Sequence, residues 1–262
     1  MDVSAPVFSD NRSEHALDQH RCLSEAYDPI TRSRLAAAGV GSGWRCLEVG
    51  AGNGSIAAWL AERVGPDGWV LATDLEPRHL TCRPRLSVLR HDIRYDPLPS
   101  NAFDLVHARQ VLPLLPDRLS VLHRLIGALR PGGVLQLDDL DLGYGPALLT
   151  PDQRSAELYA RFLAAKAEVM SATGADGSWG SRVATAMREA GLVEVDPVPH
   201  LSQWRPDSPG LRLQLNHTYR LREPLLAAGL TEDDLTDLRA LLTDPGFRAA
   251  SCVFYSVQGR RP

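Results

Sequence analysis

The chain has 262 residues, a net charge of −4 and a pI near 6.1, so it can form a large core but is too acidic for a generally basic nucleic-acid surface. Its four cysteines are dispersed without a Cys-x-x-Cys pair, which argues against a zinc or dithiol site and favours a reduced, cytoplasmic protein. No apolar run reaches the roughly 18 residues of a transmembrane helix, and the first residues show no signal-peptide pattern.

The amino-terminal part is predicted to be helical after a loose end at residues 1–13. Apolar spacing predicts a helix over 14–28, and Pro29 is predicted to restart the chain into a second helix over 30–38. These helices make a cap, residues 1–43, that either covers a ligand site or shields the edge of a sheet.

Strands and helices then alternate along the chain. From Cys46 to Ala61 the pattern is strand, glycine turn and helix, and Gly50, Gly52 and Gly54 permit a tight turn that a ligand can approach closely. The first five predicted strands are Trp44–Val49, Trp69–Thr73, Leu86–Arg90, Phe103–His107 and Val134–Leu137. This alternation predicts an α/β fold with a doubly wound, mostly parallel sheet. The carboxyl ends of its strands are expected to share one edge, where ligands bind.

The regular alternation of strands and helices is interrupted in the second half of the chain. The predicted units are a core over 44–143, a helical insertion over 144–176, a core helix and strand over 177–204, a helical lid insertion over 205–249, and the final core strand over 250–262. Two further strands, Val193–Val198 and Cys252–Val257, bring the predicted number to seven.

Two aspartates stand at the ends of successive predicted strands. Asp74 comes twenty residues after Gly54, where a carboxylate can accept hydrogen bonds from ribose hydroxyls. Asp92 follows the third strand, where it can accept one from an adenine amino group. The Gly-x-Gly-x-Gly turn is one residue shorter than the dinucleotide fingerprint, which disfavours a nicotinamide cofactor and favours a smaller adenosine ligand.

Five motifs follow one another at suitable spacing. They are Glu48-Val-Gly50-Ala-Gly52-Asn-Gly54, Asp74, His91-Asp92-Ile93, the segment from Phe103 to Arg109, and Leu129-Arg130-Pro131-Gly132-Gly133. In these motifs the chain resembles class I S-adenosylmethionine-dependent methyltransferases of the small-molecule, type 11/25-like kind. The resemblance covers residues 44–140 and the final strands. It implies a Rossmann-like, seven-stranded sheet with an antiparallel last strand, and S-adenosyl-L-methionine as cofactor.

The resemblance also implies roles at single positions. Glu48 would organise the turn and hold the methionine amino group, Asp74 would hold the ribose, and Asp92 would face the adenine amino group. Leu75 and Ile93 would enclose the adenine ring. The other implied cofactor contacts are Gly50, Ala51, Gly52, Asn53, Gly54, Arg109 and, from the helix before the first strand, Tyr27.

A sulfonium already activates its methyl group, so an in-line nucleophile about 3 Å away matters more than acid–base groups. Related enzymes often carry a histidine in a Leu-x-His-Leu-Pro pattern, whereas this chain has Leu112-Pro-Leu-Leu-Pro116, which argues against a base there. The remaining candidate bases are His107, Asp139, Asp141, His200 and His217. No metal is expected, because Asp138–Asp141 has no matching acid after the fourth strand. Predicted substrate contacts, each with an alternative as core or solvated helix surface, are Tyr144, Trp179, Trp204, Asn216 and Tyr219.

We therefore expect a cytoplasmic methyltransferase that acts under a helical lid on a small, secondary-metabolite-like acceptor, without a nucleic-acid or membrane partner. The sequence is also compatible with a homodimer. Three alternatives to this function remain: a nicotinamide-dependent oxidoreductase, a non-catalytic S-adenosylmethionine-binding protein of the same fold and, more weakly, an RNA methyltransferase. All basic residues except Lys166 are arginine, which we interpret as coding bias toward G and C.

Overall fold

The centre of the molecule is a seven-stranded sheet. The computed structural model describes residues 13–262, so the predicted loose end lies almost wholly outside the described residues. The strands are β1 (Arg45–Val49), β2 (Trp69–Asp74), β3 (Leu86–Arg90), β4 (Phe103–Arg109), β5 (Leu129–Asp141), β6 (Ala147–Leu149), β7 (Val193–His200), β8 (Gln203–Trp204), β9 (Arg248–Ala250) and β10 (Val253–Arg260). The large sheet has the order β3-β2-β1-β4-β5-β10-β7, and β10 is antiparallel to both neighbours while the other pairs are parallel. The predicted fold class is confirmed.

Eight helices surround the two sheets in the described part of the chain. They are α1 (Ala16–Ala37), α2 (Ser55–Arg63), α3 (Arg118–Ala128), α4 (Gln153–Ala172), α5 (Trp179–Glu189), α6 (Pro209–Arg220), α7 (Arg222–Ala227) and α8 (Glu232–Thr243).

The predicted break at Pro29 is wrong, because α1 continues through the proline. The ring removes one backbone donor, but neighbouring side chains bind the helix to the sheet. Nη1 of Arg109 donates to Oδ1 of Asp28 at 2.9 Å, and Oγ1 of Thr31 donates to Oδ2 of Asp138 at 2.6 Å. Hydrogen bonds to charged groups contribute about 1.5–3 kcal/mol each, which offsets the lost helical bond.

The order of the strands leaves a crevice beside β1. The chain runs outward from β1 through β2 to β3, and then returns to β4 on the other side of β1. In open α/β sheets such a reversal separates the connections at the carboxyl ends of the strands, and ligands bind there. Because β1 and β4 are parallel neighbours in register, Glu48 lies opposite His107 at this end of the sheet.

The predicted helical insertions share a hydrophobic core of their own. Phe162, Leu211, Leu225 and Leu238, which come from α4, α6, α7 and α8, belong to one buried cluster. A three-stranded sheet of order β6-β9-β8 accompanies these helices. It was not predicted, because strands of two or three residues are too short to show a period-2 pattern.

Several boundaries also differ from the prediction. β5 begins at Leu129, before the Pro-Gly-Gly segment rather than after it, and β10 continues to Arg260. The division into units at the predicted boundaries stays a prediction. Within residues 13–262, none of the helices combines the length and the apolar character needed to cross a bilayer.

Candidate functional site

A cavity of about 1020 Å³ lies at the carboxyl ends of β1, β2 and β4. α1 lines it through residues that include His20 and Tyr27, while α4 and α6 contribute Lys166 and Gln214. α1 therefore borders the cavity, and the prediction that the amino-terminal helical region covers a ligand site stays a prediction. Nδ2 of Asn216 on α6 donates to main-chain and side-chain oxygens near the start of α1, which holds the two helices together.

The turn after β1 presents backbone to the cavity. Gly50, Gly52 and Gly54 have φ angles of +66°, +57° and +79°, a region that residues with a Cβ rarely adopt. A Cβ on Gly50 would lie 2.3 Å from Cγ2 of Val111, and one on Gly52 would lie 2.9 Å from Nδ1 of His20. Glycine is needed here both for the backbone conformation and for the space that a Cβ would fill.

Asp74, the last residue of β2, contacts the same turn. Its Oδ2 accepts a hydrogen bond from the N–H of Gly52 at 3.0 Å, and its Oδ1 accepts one from the N–H of Glu76 at 2.9 Å. A carboxylate oxygen can accept more than one hydrogen bond. Because Asp74 lines the cavity, it can also bind a ligand hydroxyl.

His107 is fully buried and joins two carboxylates. Its Nδ1 lies 2.6 Å from Oε2 of Glu48, and its Nε2 lies 3.2 Å from Oδ2 of Asp138. Burial by itself lowers the pKa of His107, but the two carboxylates outweigh burial and raise this pKa to about 10. The ring is therefore an imidazolium at neutral pH. It does not line the cavity, so His107 does not suit the predicted role of base and instead orients Glu48, which does line it.

Of the other four candidate bases, Asp141 and His200 do not line the cavity, and Asp139 and His217 differ in position. Asp139 is 1% exposed and does not line the cavity, and its Oδ1 accepts from the N–H of Gln110 at 3.0 Å. Burial first, and then the neighbouring Asp138, raise the pKa of Asp139 to about 8. His217 does line the cavity, and burial followed by the charges of Lys166 and Arg220 lowers its pKa well below the ordinary value, so its ring is neutral.

Leu75 and Ile93, the predicted adenine contacts, both line the cavity. Asp92 does not, because its carboxylate is turned to Arg94, whose Nε and Nη2 donate to it at 3.0 and 2.7 Å. These hydrogen bonds, working against partial burial, lower the pKa of Asp92. The polar side chains that border the cavity at this point are Arg90, His91 and Arg94.

The remaining predicted cofactor contacts lie around the turn. Tyr27 lines the cavity with its ring stacked on Phe254, the centroids 4.5 Å apart. Ala51, Asn53 and Arg109 also line it. Gly54, the residue directly before α2, does not line it.

Only one of the five predicted substrate contacts, Trp204, lines the cavity in the described structure. Tyr144 is 45% exposed, and Tyr219 lies on the outer side of α6 with its ring 4.2 Å from the guanidinium of Arg239. Asn216 points to α1 instead. Trp179 is buried at the start of α5 in the core cluster under the sheet.

Sequence patterns missed two polar residues of the cavity, one on α4 and one on α6. Lys166 and Gln214 are both buried, line the cavity, and are hydrogen-bonded to each other from Nζ to Oε1 at 2.6 Å. Cys252, just before β10, borders the same space. The one signal in the sequence is that Lys166 is its only lysine, and a composition so rich in arginine is equally explained by coding bias.

Part of the chain that builds this cavity matches a known protein family. Residues 47–135 match the family described as a methyltransferase domain. The chain is 36% identical over 141 residues to methyltransferase str3 of Strobilurus tenacellus, covering 52% of this chain and 48% of that protein. It is 32% identical over 122 residues to nocamycin O-methyltransferase of Saccharothrix syringae, covering 43% of this chain and 44% of that protein. The chain thus spans about half the length of these relatives or less.

The fold is also similar to that of a solved methyltransferase. Phosphoethanolamine N-methyltransferase 2 of Haemonchus contortus, in complex with S-adenosyl-L-methionine, superimposes with a TM-score of 0.56 at 16% identity. The match covers 98% of this chain and 60% of that one. At this identity the similarity is one of fold.

Proposed function

We propose that this chain, whose residues 47–135 match the methyltransferase-domain family, transfers a methyl group from S-adenosyl-L-methionine to a small-molecule acceptor. One observation carries the proposal. The glycine turn after β1, the carboxylate of Glu48 and that of Asp74 border a single cavity at the strand reversal. The described residues therefore combine close backbone access with hydrogen-bond acceptors for an amine and for ribose hydroxyls.

Each part of the donor has residues of suitable chemistry along this cavity. We assign the methionine amino group to Glu48, the ribose to Asp74, and the adenine ring to Leu75 and Ile93. The adenine amino group is not assigned to Asp92, because Arg94 occupies that carboxylate. We retain Tyr27 and the backbone of the glycine turn as further contacts.

The size of the cavity supports a site for two molecules. Pockets that hold one drug-sized ligand usually measure about 300–1,000 Å³. At about 1020 Å³ this cavity lies at the top of that range, as expected where donor and acceptor must be present together. The donor residues come from the β1–β4 region, which leaves the part bordered by α4 and α6 for the acceptor.

When bound, S-adenosylmethionine supplies a methyl group on a positively charged sulfur. The chain has to hold an acceptor atom in line with that methyl group and exclude water, and positioning of this kind can lower a barrier by about 7–11 kcal/mol. α1 and α6, hydrogen-bonded to each other beside the cavity, provide the cover. Among the predicted bases we retain His217, which lines the cavity as a neutral imidazole and can accept a proton from a hydroxyl acceptor.

Titration calorimetry with S-adenosylhomocysteine tests the cofactor assignment. We expect the wild type to bind, and Asp74→Asn to bind about 10- to 100-fold more weakly, since hydrogen bonds to charged groups are worth about 1.5–3 kcal/mol. Asp67→Asn, in the exposed turn before β2, is the matched control and should bind as the wild type does. Absence of binding by wild-type protein with a normal circular-dichroism spectrum would refute the proposal.

Transfer itself is tested with donor labelled in the methyl group. Incubation of the protein with labelled S-adenosylmethionine and metabolite extracts should give a labelled small-molecule product. Binding of the cofactor without any labelled product from extracts that sustain a control methyltransferase would favour a non-catalytic binding protein.

We further propose that the acceptor is a secondary metabolite and that the protein acts in the cytoplasm. The name of the Saccharothrix relative supports the first statement. The four cysteines, none of them in a disulfide, support the second, because thiols stay reduced in that compartment.

A further inference from the structure

The part of the cavity bordered by α4 and α6 contains a buried cation. Lys166 is 8% exposed, lines the cavity and is the only lysine in the 262 residues. Its Nζ donates to Oε1 of Gln214 at 2.6 Å and lies 5.4 Å from the ring centroid of Phe162. An ammonium group has three N–H donors, so these contacts leave donors over.

No carboxylate pairs with Lys166 among the residues that the structure describes. The titratable groups beside it are His217 of α6 and Cys252 before β10. Burial raises the pKa of the Cys252 thiol against the opposing effect of the ammonium, and burial and then Lys166 lower the pKa of His217. Both neighbours are therefore neutral at pH 7 and supply no counter-charge.

A buried cation without an anion is unfavourable, and burial accordingly lowers the pKa of Lys166 to about 8. This pKa is still above 7, so the protonated amine predominates at neutral pH. The cavity thus holds a positive charge whose solvation by the protein is incomplete. An anionic ligand would complete it.

We propose that Lys166 binds a carboxylate of the acceptor, so that the acceptors of this site are small organic acids. The inference rests on the proposed function and specifies the substrate class of the same site. The bound carboxylate provides the missing counter-charge and accepts the N–H groups that Gln214 does not use. Charge-assisted hydrogen bonds of this kind are about twice as strong as neutral ones.

The surroundings of Lys166 indicate the rest of the acceptor. Met170, one turn further along α4, and Leu213, next to Gln214 on α6, line the same cavity together with Trp204. Apolar side chains of this kind favour an aryl or alkyl body over further charged groups. An apolar monocarboxylic acid therefore fits better than a polyacid.

The single lysine makes the proposal directly measurable. Protein labelled with ¹³Cε-lysine should give one lysine resonance, whose titration reports Lys166 alone. In the presence of S-adenosylhomocysteine we expect a midpoint near pH 8, and we expect benzoate, cinnamate or decanoate to raise it, because a bound carboxylate stabilises the ammonium. The corresponding primary amides should leave it unchanged. A midpoint that responds to none of the three acids, or equally to the amides, overturns the proposal.

Two substitutions of Lys166 test whether its positive charge, rather than an ability to accept a proton, is what binds the acid. Lys166→Met should weaken binding of the responding acid, measured by calorimetry with S-adenosylhomocysteine present, by roughly 10- to 100-fold. Lys166→Arg should keep most of the affinity, because a guanidinium retains the charge but cannot accept a proton. Arg154→Met removes one charge from the exposed start of α4 and serves as the control that should bind like the wild type. Unchanged acid affinity in Lys166→Met contradicts the proposal.

The donor titration keeps the two proposals distinguishable. Failure of the wild type to bind S-adenosylhomocysteine removes the proposed function itself. Normal binding of S-adenosylhomocysteine with a lysine resonance indifferent to all acids overturns only the role of Lys166. The resonance is measured on wild-type protein, so this outcome is decisive even where Lys166→Met does not fold.

Discussion

Replacing His107 by glutamine is expected to lower the free energy of unfolding by about 3–5 kcal/mol at pH 6, the cost of breaking a buried ion pair. The substitution leaves the carboxylates of Glu48 and Asp138, which are 4% and 0% exposed, without the imidazolium between them. Glutamine is close to histidine in volume and can still donate a hydrogen bond. The loss of unfolding free energy therefore measures mainly the contribution of the positive charge on His107.

The pH dependence of this loss follows from the pKa of His107. Its folded-state value, about 10, lies above the unfolded value near 6.5, so the stabilising contribution is complete below pH 6.5 and disappears as pH rises toward 10. Within that interval each pH unit removes up to about 1.4 kcal/mol. The difference in stability between wild type and His107→Gln should accordingly narrow between pH 6.5 and 10.

Urea unfolding followed by tryptophan fluorescence at pH 6, 7.5 and 9 measures both quantities. Taking the difference between the two proteins cancels other titrating groups, including Lys166, whose lowered pKa makes stability rise with pH over part of the same interval. His123→Gln, at an exposed position of α3, is the control and should stay within about 0.5 kcal/mol of the wild type. A loss below 1 kcal/mol for His107→Gln at pH 6, or a gap that does not narrow by pH 9, would show that no charged imidazolium bridges the two carboxylates.

Two further predictions concern helices. A Cβ on Gly210 in α6 would lie 2.0 Å from the ring of Trp204, so overpacking in Gly210→Ala should lower the free energy of unfolding by about 1–3 kcal/mol. A Cβ on Gly127 in α3 would have no neighbour within 4 Å, so Gly127→Ala should raise the free energy of unfolding by about 0.5–1 kcal/mol. Thermal denaturation of this pair checks the contrast, and a Gly210→Ala protein as stable as the wild type would contradict it. Thr231→Ala removes the capping box of α8 and should cost about 1 kcal/mol in urea unfolding; a change under 0.3 kcal/mol would mean that the cap contributes little.

Much of the fold could be predicted from local patterns. The strand, glycine turn and helix at Cys46 to Ala61 need only neighbouring residues to define them, and the alternation of strands and helices then fixes a parallel sheet with one binding rim. The errors arose where long-range contacts outweighed local preference. α1 continues through Pro29 because Asp28 and Thr31 are held by residues of β4 and β5.

The candidate site likewise contains residues that the sequence predicts and residues whose positions depend on long-range packing. Asp74 follows from where β2 ends, Glu48, Leu75 and Ile93 were implied by the family resemblance, and the structure brings all four to one cavity. His107 occupies a similar strand-end position, but its side chain is buried between two carboxylates. Which side of a strand faces solvent depends on the layers packed against it, and sequence spacing does not report those layers.

The sequence by itself determined the donor half of this protein, because a glycine turn between a buried strand and a helix, with an aspartate after the next strand, is specified over thirty residues or so of local chain. The acceptor half was decided by tertiary structure. Lys166, Gln214 and Cys252 are separated by long stretches of chain and meet only when α4, α6 and the end before β10 pack together. A lysine on an amphipathic helix usually extends into water. Packing buries this one beside a cavity, with no counter-ion among residues 13–262, which changes it from a solubilising group to a binding group.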